Sequence, residues 1–294
     1  MEYPKNYREL LSQLSTPSNC VDYLASIRWE SGFVCPRCGH SHAWRTQRGL
    51  WICSDCEYHA SVLAGTLFQD TKLPLNLWFQ MIWWFMGQKS GASALSLQRN
   101  FGVGSYRTAW TLLGKLRSCM VQTARQRLCG EVEVDESFLG GTNNKETIGV
   151  AAEIRGQGIG RIRLQHLGAK SHEELHGFIT SLIDPGSKIV TDRNSTYRTI
   201  VEKGYQHEAK KKPYSWEDIG RNDDRRLPRV HRVTSLLKRW YYGTYHGRID
   251  PAGLQPYLDE FVFRFNRRTS RSRGLIFHRM VEAAVFPNKI NTST

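Results

Sequence analysis

From Glu131 to Leu139 polar and apolar positions alternate, with Glu131, Glu133 and Asp135 on one face, Val132 and Val134 on the other, and Gly140-Gly141 ending the run. A period of two predicts a strand whose sides differ in character. Two more strand-like runs, 147–154 and 159–167, turn through Gly156-Gln157-Gly158, and Ile189-Val190-Thr191 forms a fourth that ends at Asp192. Between the third and fourth strands the period changes to that of a helix. Ser171 and Glu174 have capping-box spacing, Leu175, Phe178, Ile179 and Leu182 line one side, and Pro185-Gly186 stops it. Three strands, a helix and a returning strand predict a mixed α/β sheet.

Elsewhere the pattern is helical. Residues 1–29 carry Leu10, Leu11, Leu14, Tyr23, Leu24 and Ile27 at helical spacing. The most apolar run, 73–86, reads as a helix begun near Pro74 whose Trp78, Trp83 and Trp84 face a core. It has 14 residues and includes Asn76 and Gln80, too short and too polar to span a bilayer. A helix over 92–100 breaks at Gly102-Val103-Gly104, and a second starts at the cap Ser105 and carries Tyr106, Arg107, Thr108 and Lys115. That is the layout of a helix-turn-helix DNA reader, and also of a plain helical hairpin. Pro228 precedes a helix over 229–242 with His231, Ser235 and Lys238 on one face and Val233, Leu236 and Trp240 on the other. A last helix over 255–265 carries Tyr257, Leu258, Phe261 and Val262. It runs into Arg264-Phe265-Asn266-Arg267-Arg268, a sequence suited to phosphate.

Charge gives these elements a partner. Among 294 residues there are 41 Lys and Arg against 27 Asp and Glu, a net charge of +14 and a pI near 9.6, as expected of a protein that binds a polyanion. Residues 205–273 hold 16 basic and 8 acidic side chains, more than half of the surplus. No continuous apolar core opens the chain as in a secretory signal. Cys35-Pro36-Arg37-Cys38 and Cys53-Ser54-Asp55-Cys56 are two CxxC pairs at a separation that brings four thiolates into the tetrahedron of structural zinc. Such a site and the absent signal point to a reducing interior. Cys20, Cys119 and Cys129 have no partner spacing and read as small buried hydrophobes. The alternating acids pose the sharpest question. Carboxylates gathered on one strand repel unless a cation lies between them, so Asp135, with Asp192 on a neighbouring strand, is expected to hold a divalent metal.

Taken together, VEVDESFLGG, IVTD, LPRVHRVTSLLKRWYYGTYHG, LQPYLDEFVFRFNRR and the CPRCGH and CSDC ribbon resemble the zinc-ribbon insertion-sequence transposases of bacteria and archaea, related to the Merlin transposons of eukaryotes. The likeness runs from about residue 24 to 277. It implies three regions: an N-terminal helix and zinc ribbon over 1–65, a helix-turn-helix-like DNA-binding region over 66–129, and a ribonuclease-H-like catalytic domain over 130–294. In such a core the first and fourth strands lie side by side, so Asp135 and Asp192 converge. The resemblance implies a DDE-type enzyme that cuts element ends and joins them to target DNA, with Asp135 and Asp192 holding magnesium or manganese. The third member in this branch is often asparagine or histidine. His231 fits, seven residues before Lys238, so that both point the same way and Lys238 meets DNA phosphate. Magnesium prefers oxygen, which leaves His231 to bind manganese, orient a water or shuttle a proton; Glu217, Asp223 or Asp224 remain as acidic alternatives. Arg107, Lys115, Arg239, Arg264, Arg267 and Arg268 are the expected DNA contacts. One departure is Arg193 directly after Asp192, where the family commonly has glycine. Double-stranded DNA, both terminal repeats and target, is then the partner, the chain works as a homo-oligomer with no membrane, and its place is the prokaryotic cytoplasm at the nucleoid. A DNA-binding derivative without catalysis is the alternative.

Overall fold

The computed structural model describes residues 2–120, 127–141, 145–168, 172–192, 195–210 and 227–287. The chain forms two compact units, one of Met1–Thr123 with Ser270–Thr294, the other of Ala124–Thr269.

In the first unit, the helical pattern of the opening residues is split into α1 (Tyr7–Gln13) and α2 (Pro17–Arg28). The split falls at Thr16, whose hydroxyl accepts from Asn19 N, and at Pro17, which suits a helix's first turn. A small antiparallel sheet comes next, β1 (Ala43–Arg45), β2 (Leu50–Cys53) and β3 (His59–Ser61). Then come α3 (Leu75–Gly87), α4 (Ala94–Phe101) and α5 (Tyr106–Ser118). Trp78, Phe79, Ile82 and Phe85 of α3 are buried, whereas Trp83 and Trp84 are half-buried. Gly102 joins α4 to α5 with φ +63°, a left-handed position that lets the chain reverse without steric cost, and Ser105 caps α5 through Thr108 N.

The second unit is built on one five-stranded sheet. Its strands are β4 (Glu131–Gly140), β5 (Lys145–Arg155), β6 (Gly158–Leu167), β7 (Lys188–Asp192) and β8 (Gln206–Lys210), in the order β6-β5-β4-β7-β8. The first three are antiparallel, and β7 and β8 run parallel to β4. The first and fourth strands are thus neighbours, as the mixed α/β reading requires. Between β6 and β7 the chain crosses over through α6 (His172–Leu182); Ser171, the expected cap, lies outside the described residues. Nine residues of 3-10 turns, Ser195–Lys203, link β7 to β8. Beyond residues 211–226, which are not described, the chain forms α7 (Pro228–Tyr245) and α8 (Leu254–Asn266).

Both faces of the sheet are covered. Val132, Val134, Ala151 and Ile189 pack with Phe178 and Ile179 of α6 and with Tyr197, while Leu139, Ile148, Val150 and Val190 pack with Val233, Leu237, Trp240 and Phe261 of α7 and α8. This explains why β5 is buried over seven successive residues, as a strand enclosed on both sides should be. Gly149 is part of the fit: a Cβ there would lie 3.1 Å from the Phe178 ring. The edge strand β6 is closed by two polar side chains of α8. Ile162 N donates to Asn266 Oδ1 (2.8 Å) and Asn266 Nδ2 donates back to Ile162 O (3.2 Å), while His166 N donates to Gln255 Oε1 (2.8 Å). A strand edge satisfied in this way offers no free ladder to another chain.

The chain then returns to the first unit as α9 (Arg273–Val285). Phe277 stacks on Tyr23, its ring meets Phe79 edge-on, and Tyr23 Oη shares a 2.8 Å hydrogen bond with His278 Nδ1. Leu67 N donates to Ala284 O at 2.8 Å. Residues 270–294 group with the N-terminal part rather than with the sheet, because the apolar face of α9 is buried by α2 and α3. The ribbon and the helices after it likewise form one unit.

Candidate active site and cysteine cluster

Odd-numbered residues of β4 face α7, and even-numbered ones face α6. Parallel pairing puts Glu131 opposite Lys188 and Glu133 opposite Val190, and Asp135 and Asp192 each follow two residues beyond the last of these pairs. With Val190 packed on the α7 side of the sheet, the alternation of the two strands puts both aspartates on that same side, towards the C-terminal ends of parallel strands. Asp135 Oδ1 accepts from Glu136 N at 2.9 Å. On α7, His231 Nε2 is 3.5 Å from Asp135 Oδ2 and more than half of the imidazole is exposed. Lys238 lies two turns further along the same helix, half-buried, and Arg239 beside it is exposed. Neither makes an ion pair among the described residues. Oxygen donors on adjoining strands, open to solvent, are a donor set that suits a hard divalent ion.

The three acids that alternate on this face of β4 do not act as one group. Glu131 pairs instead with Lys188 (3.1 Å) at the strand's exposed end. Glu133 is only 2% exposed and turns to α7: its Oε2 accepts from Arg229 N at 2.7 Å and Val230 N at 3.0 Å, and its Oε1 from the Arg229 guanidinium at 3.2 Å. Burial raises the Glu133 pKa above the ordinary carboxylate value despite these bonds. On the other face of β4, the Tyr197 hydroxyl donates to Glu136 Oε1 at 3.1 Å. Burial first, then the negative charge of Glu136 and Asp135, holds this phenol protonated. Neither Glu133 nor Tyr197 was singled out by motif. The signal for Glu133 was its place two residues before Asp135 on the same strand face, and none marked Tyr197. Arg193 and the acids Glu217, Asp223 and Asp224 lie outside the described residues.

The expected basic contacts divide sharply. Arg107 and Lys115 are exposed on α5, next to the exposed rings of Tyr106 and Trp110. Arg264, Arg267 and Arg268 make contacts within their own unit. Arg264 is nearly buried and holds the fully buried Glu260 at 2.7 Å. The Arg267 guanidinium lies 3.8 Å from the centre of the Phe263 ring, where burial lowers its pKa to about 10. Arg268 stacks at 4.0 Å on Phe265 and donates to Phe265 O (2.9 Å), Gly160 O and Ile159 O. Of the three, Arg268 ties α8 to β6.

In the first unit, one sulfur each of Cys35, Cys38, Cys53 and Cys56 falls within 4.8 Å of all the others, with Cys35–Cys56 and Cys38–Cys53 at 3.6 Å. Sulfurs about 2.3 Å from a tetrahedral zinc lie about 3.8 Å apart, so the cluster has the size of a zinc site. The two turns that present them are alike: Gly39 N donates to Cys35 O and Glu57 N to Cys53 O. Left as thiols, the sulfurs divide. Burial would push Cys35 up, yet hydrogen bonds from Cys38 and Arg37 N–H bring it down to about 6. Cys38, although it accepts from His40 N–H, rises to about 12 against its neighbouring sulfurs.

Comparison with known proteins agrees with this arrangement. Residues 127–266 match the family model described as an ISXO2-like transposase domain, and residues 16–59 the model of a transposase zinc-ribbon domain. A protein of Halobacterium salinarum described as an uncharacterized protein in transposable element ISH50 is 24% identical over 270 residues, 83% of this chain and 89% of that one. Among solved structures, the simian T-cell lymphotropic virus intasome in complex with PP2A regulatory subunit B56 gamma aligns with 67% of this chain and 74% of its own, at 13% identity and a TM-score of 0.35, too loose to carry an argument. The ribbon and the sheet domain thus each match a transposase family model, in the predicted order, and over both regions the chain is similar to the zinc-ribbon insertion-sequence transposases.

Proposed function

We propose that the protein is a working DNA transposase of an insertion sequence, which cuts the element's ends and joins them to target DNA with a divalent metal held by Asp135 and Asp192. The observation that supports this reading is the His231 imidazole 3.5 Å from Asp135 on the α7 side of β4, with Asp192 at the end of the adjacent parallel strand, in a region that matches a transposase domain. Magnesium or manganese bound there would supply charge neutralisation for in-line displacement at phosphorus. Asp135 and Asp192 would hold the ion. His231, with Nε2 beside Asp135 and its ring open to solvent, takes up the proton of the attacking hydroxyl. Lys238, two turns along, binds the flanking phosphate, and Arg239 adds to the same basic surface. In the first unit the face of α5 with Arg107 and Lys115 binds the terminal repeat, while the four-cysteine cluster holds structural zinc. Pairing two ends calls for a homo-oligomer on DNA, and the work belongs at the nucleoid.

The test is a cleavage and strand-transfer assay on DNA carrying the element's own ends, in magnesium and in manganese, with Asp192→Asn as the inactive control. His231→Ala is expected to lose at least a hundredfold in cleavage while binding the ends normally. A wild type that binds the ends but cuts in neither metal would make this a DNA-binding derivative instead.

A further inference from the structure

The first turn of a helix has backbone N–H groups without intrahelical partners, and a side chain from the preceding segment normally takes them. Helix α7 has no such cap of its own. Leu227 at the cap position offers no side-chain acceptor, and Pro228 removes one donor. The next two donors, Arg229 N and Val230 N, both go to Glu133 Oε2, and the first bond within the helix is His231 N to Leu227 O at 3.1 Å. The cap is thus lent by the sheet. Its negative charge also matches the positive end of the helix dipole. Arg229 closes the clasp, with one guanidinium nitrogen on Glu133 Oε1 and the other on Gly156 O (2.9 Å) in the β5–β6 turn.

What makes this more than a stabilising contact is its place in the sequence. Glu133 and Asp135 are two residues apart on one face of β4. His231 directly follows the two residues that Glu133 grips, and its Nε2 meets Asp135. Strand and helix are fixed to each other within one residue of the contact that the proposed chemistry uses. We infer that Glu133 is a positioning residue, which seats the first turn of α7 and thereby holds His231 opposite Asp135. The inference rests on the catalytic reading of that pair given above. A lost seat lets the imidazole move by about an ångström, a displacement that can lower a rate by about a hundredfold.

The test uses the full-length, zinc-loaded chain as Glu133→Ala, Glu133→Gln, His231→Ala and the double variant Glu133→Ala/His231→Ala. At saturating DNA, Glu133→Ala is expected to lose about a hundredfold in cleavage rate with the DNA concentration for half-saturation unchanged. Glu133→Gln keeps an acceptor for the two N–H groups and is expected to recover about tenfold of that loss. In the His231→Ala background, Glu133→Ala should cost less than about threefold, because a residue acting through His231 has nothing left to position. Equal losses in the two backgrounds would overturn the inference and leave Glu133 a stabilising residue only. A second readout needs no activity. The His231 Hε1 resonance, assigned by its loss in His231→Ala, should shift on Asp135→Asn in the otherwise wild-type chain, stay still on the same change in Glu133→Ala, and shift by an intermediate amount in Glu133→Gln. A shift of the same size in all three would overturn the inference. If the wild type cuts nothing, the catalytic reading fails, and the resonance alone decides whether Glu133 holds His231 to Asp135.

Discussion

Two carboxylates level with each other on adjacent strands ought to destabilise the protein until a cation is bound. If the β4–β7 register continues two residues past Glu133 and Val190, strands about 4.8 Å apart would put the charges of Asp135 and Asp192 roughly 5 Å apart. At that distance two like charges repel by about 1 kcal/mol in water and about 3 kcal/mol at the dielectric of a protein surface. Asp135 is about a quarter exposed, and salt screens part of the effect, so about 1 kcal/mol is the expected penalty. Asp135→Asn keeps the oxygen that accepts from Glu136 N and removes only the charge. It should therefore raise the melting temperature of the second unit by about 2–4 °C in metal-depleted buffer. Adding 10 mM magnesium should raise the wild type's melting temperature and leave the variant's where it was, because only the wild type binds the ion in its folded form. Calorimetry of the full chain would measure both shifts. The buffer must be depleted by resin before the protein is added, since a chelator would also strip the cysteine cluster. If Asp135→Asn melts lower than the wild type without metal, or gains as much from magnesium, the two carboxylates do not face each other and the metal reading of the site is wrong.

Other outcomes depend on single contacts. Purified chain should release one zinc ion when its thiols are titrated with a mercurial, and Cys38→Ser should lower that to none while melting the ribbon, because a sheet of three- and four-residue strands has little else to hold it. Asn266→Ala leaves Ile162 N and O without their partners and should cost about 2–4 kcal/mol in urea unfolding; an unchanged midpoint would mean that water replaces the amide. The Glu208 carboxyl is held down to about 2 by Lys188 at 2.7 Å and Lys210 at 2.6 Å. Its folded value lies below its unfolded one, so its contribution is present above pH about 4.5 and is lost as pH falls towards about 2. Glu208→Gln should flatten the melting curve against pH in that window and leave it unaltered near pH 7 apart from a small constant offset.

How much of this was legible in the sequence depends on where each element finds its partners. The strands of the sheet centre were readable because both of their sides are specified, β4 by strict alternation and β5 by a continuous apolar run. Strand β8 was not, since Gln206–Lys210 is a polar five-residue edge whose only reason to be a strand is the exposed backbone of β7. Helix α9 is written in the cap Ser272 and in the spacing of Ile276, Phe277, Met280, Val281 and Ala284. No local pattern says that it packs with α2 and α3. That β4 and β7, which carry Asp135 and Asp192, are neighbours was an expectation from the ribonuclease-H-like resemblance, since no local pattern says which strand the returning one pairs with. Glu133 was misread for the opposite reason. Alternation tells which face a side chain is on, and the same face carries both the metal-type acid and the helix-capping acid. Only the height along the strand separates them, and that depends on where α7 begins.

The same limit governs the charges. A surplus of +14 is a property of the whole chain and sets its long-range attraction for DNA whether or not each cation is exposed. Contact is different, because a phosphate must reach the guanidinium. The run Arg264-Phe265-Asn266-Arg267-Arg268 looks like a phosphate grip because arginine and asparagine are the residues that DNA-binding surfaces use. They are also the residues that can satisfy a buried acid and an open strand edge, and here they do: Arg264 on Glu260, Asn266 on Ile162, Arg268 on Ile159 and Gly160. The aromatic rings of Phe263 and Phe265, interleaved with them, provide the stacking surface on which the half-buried Arg267 and the exposed Arg268 lie. Arg267 illustrates the difference. At a pKa of about 10 it is still a cation at neutral pH and adds to the field, yet its planar face is already taken. Phosphate contacts are therefore to be sought where cations reach solvent without a side-chain acid beside them: on α5 at the exposed Arg107 and Lys115, and along α7 at the exposed Arg239 and the half-buried Lys238, on the helix that also carries His231 beside Asp135.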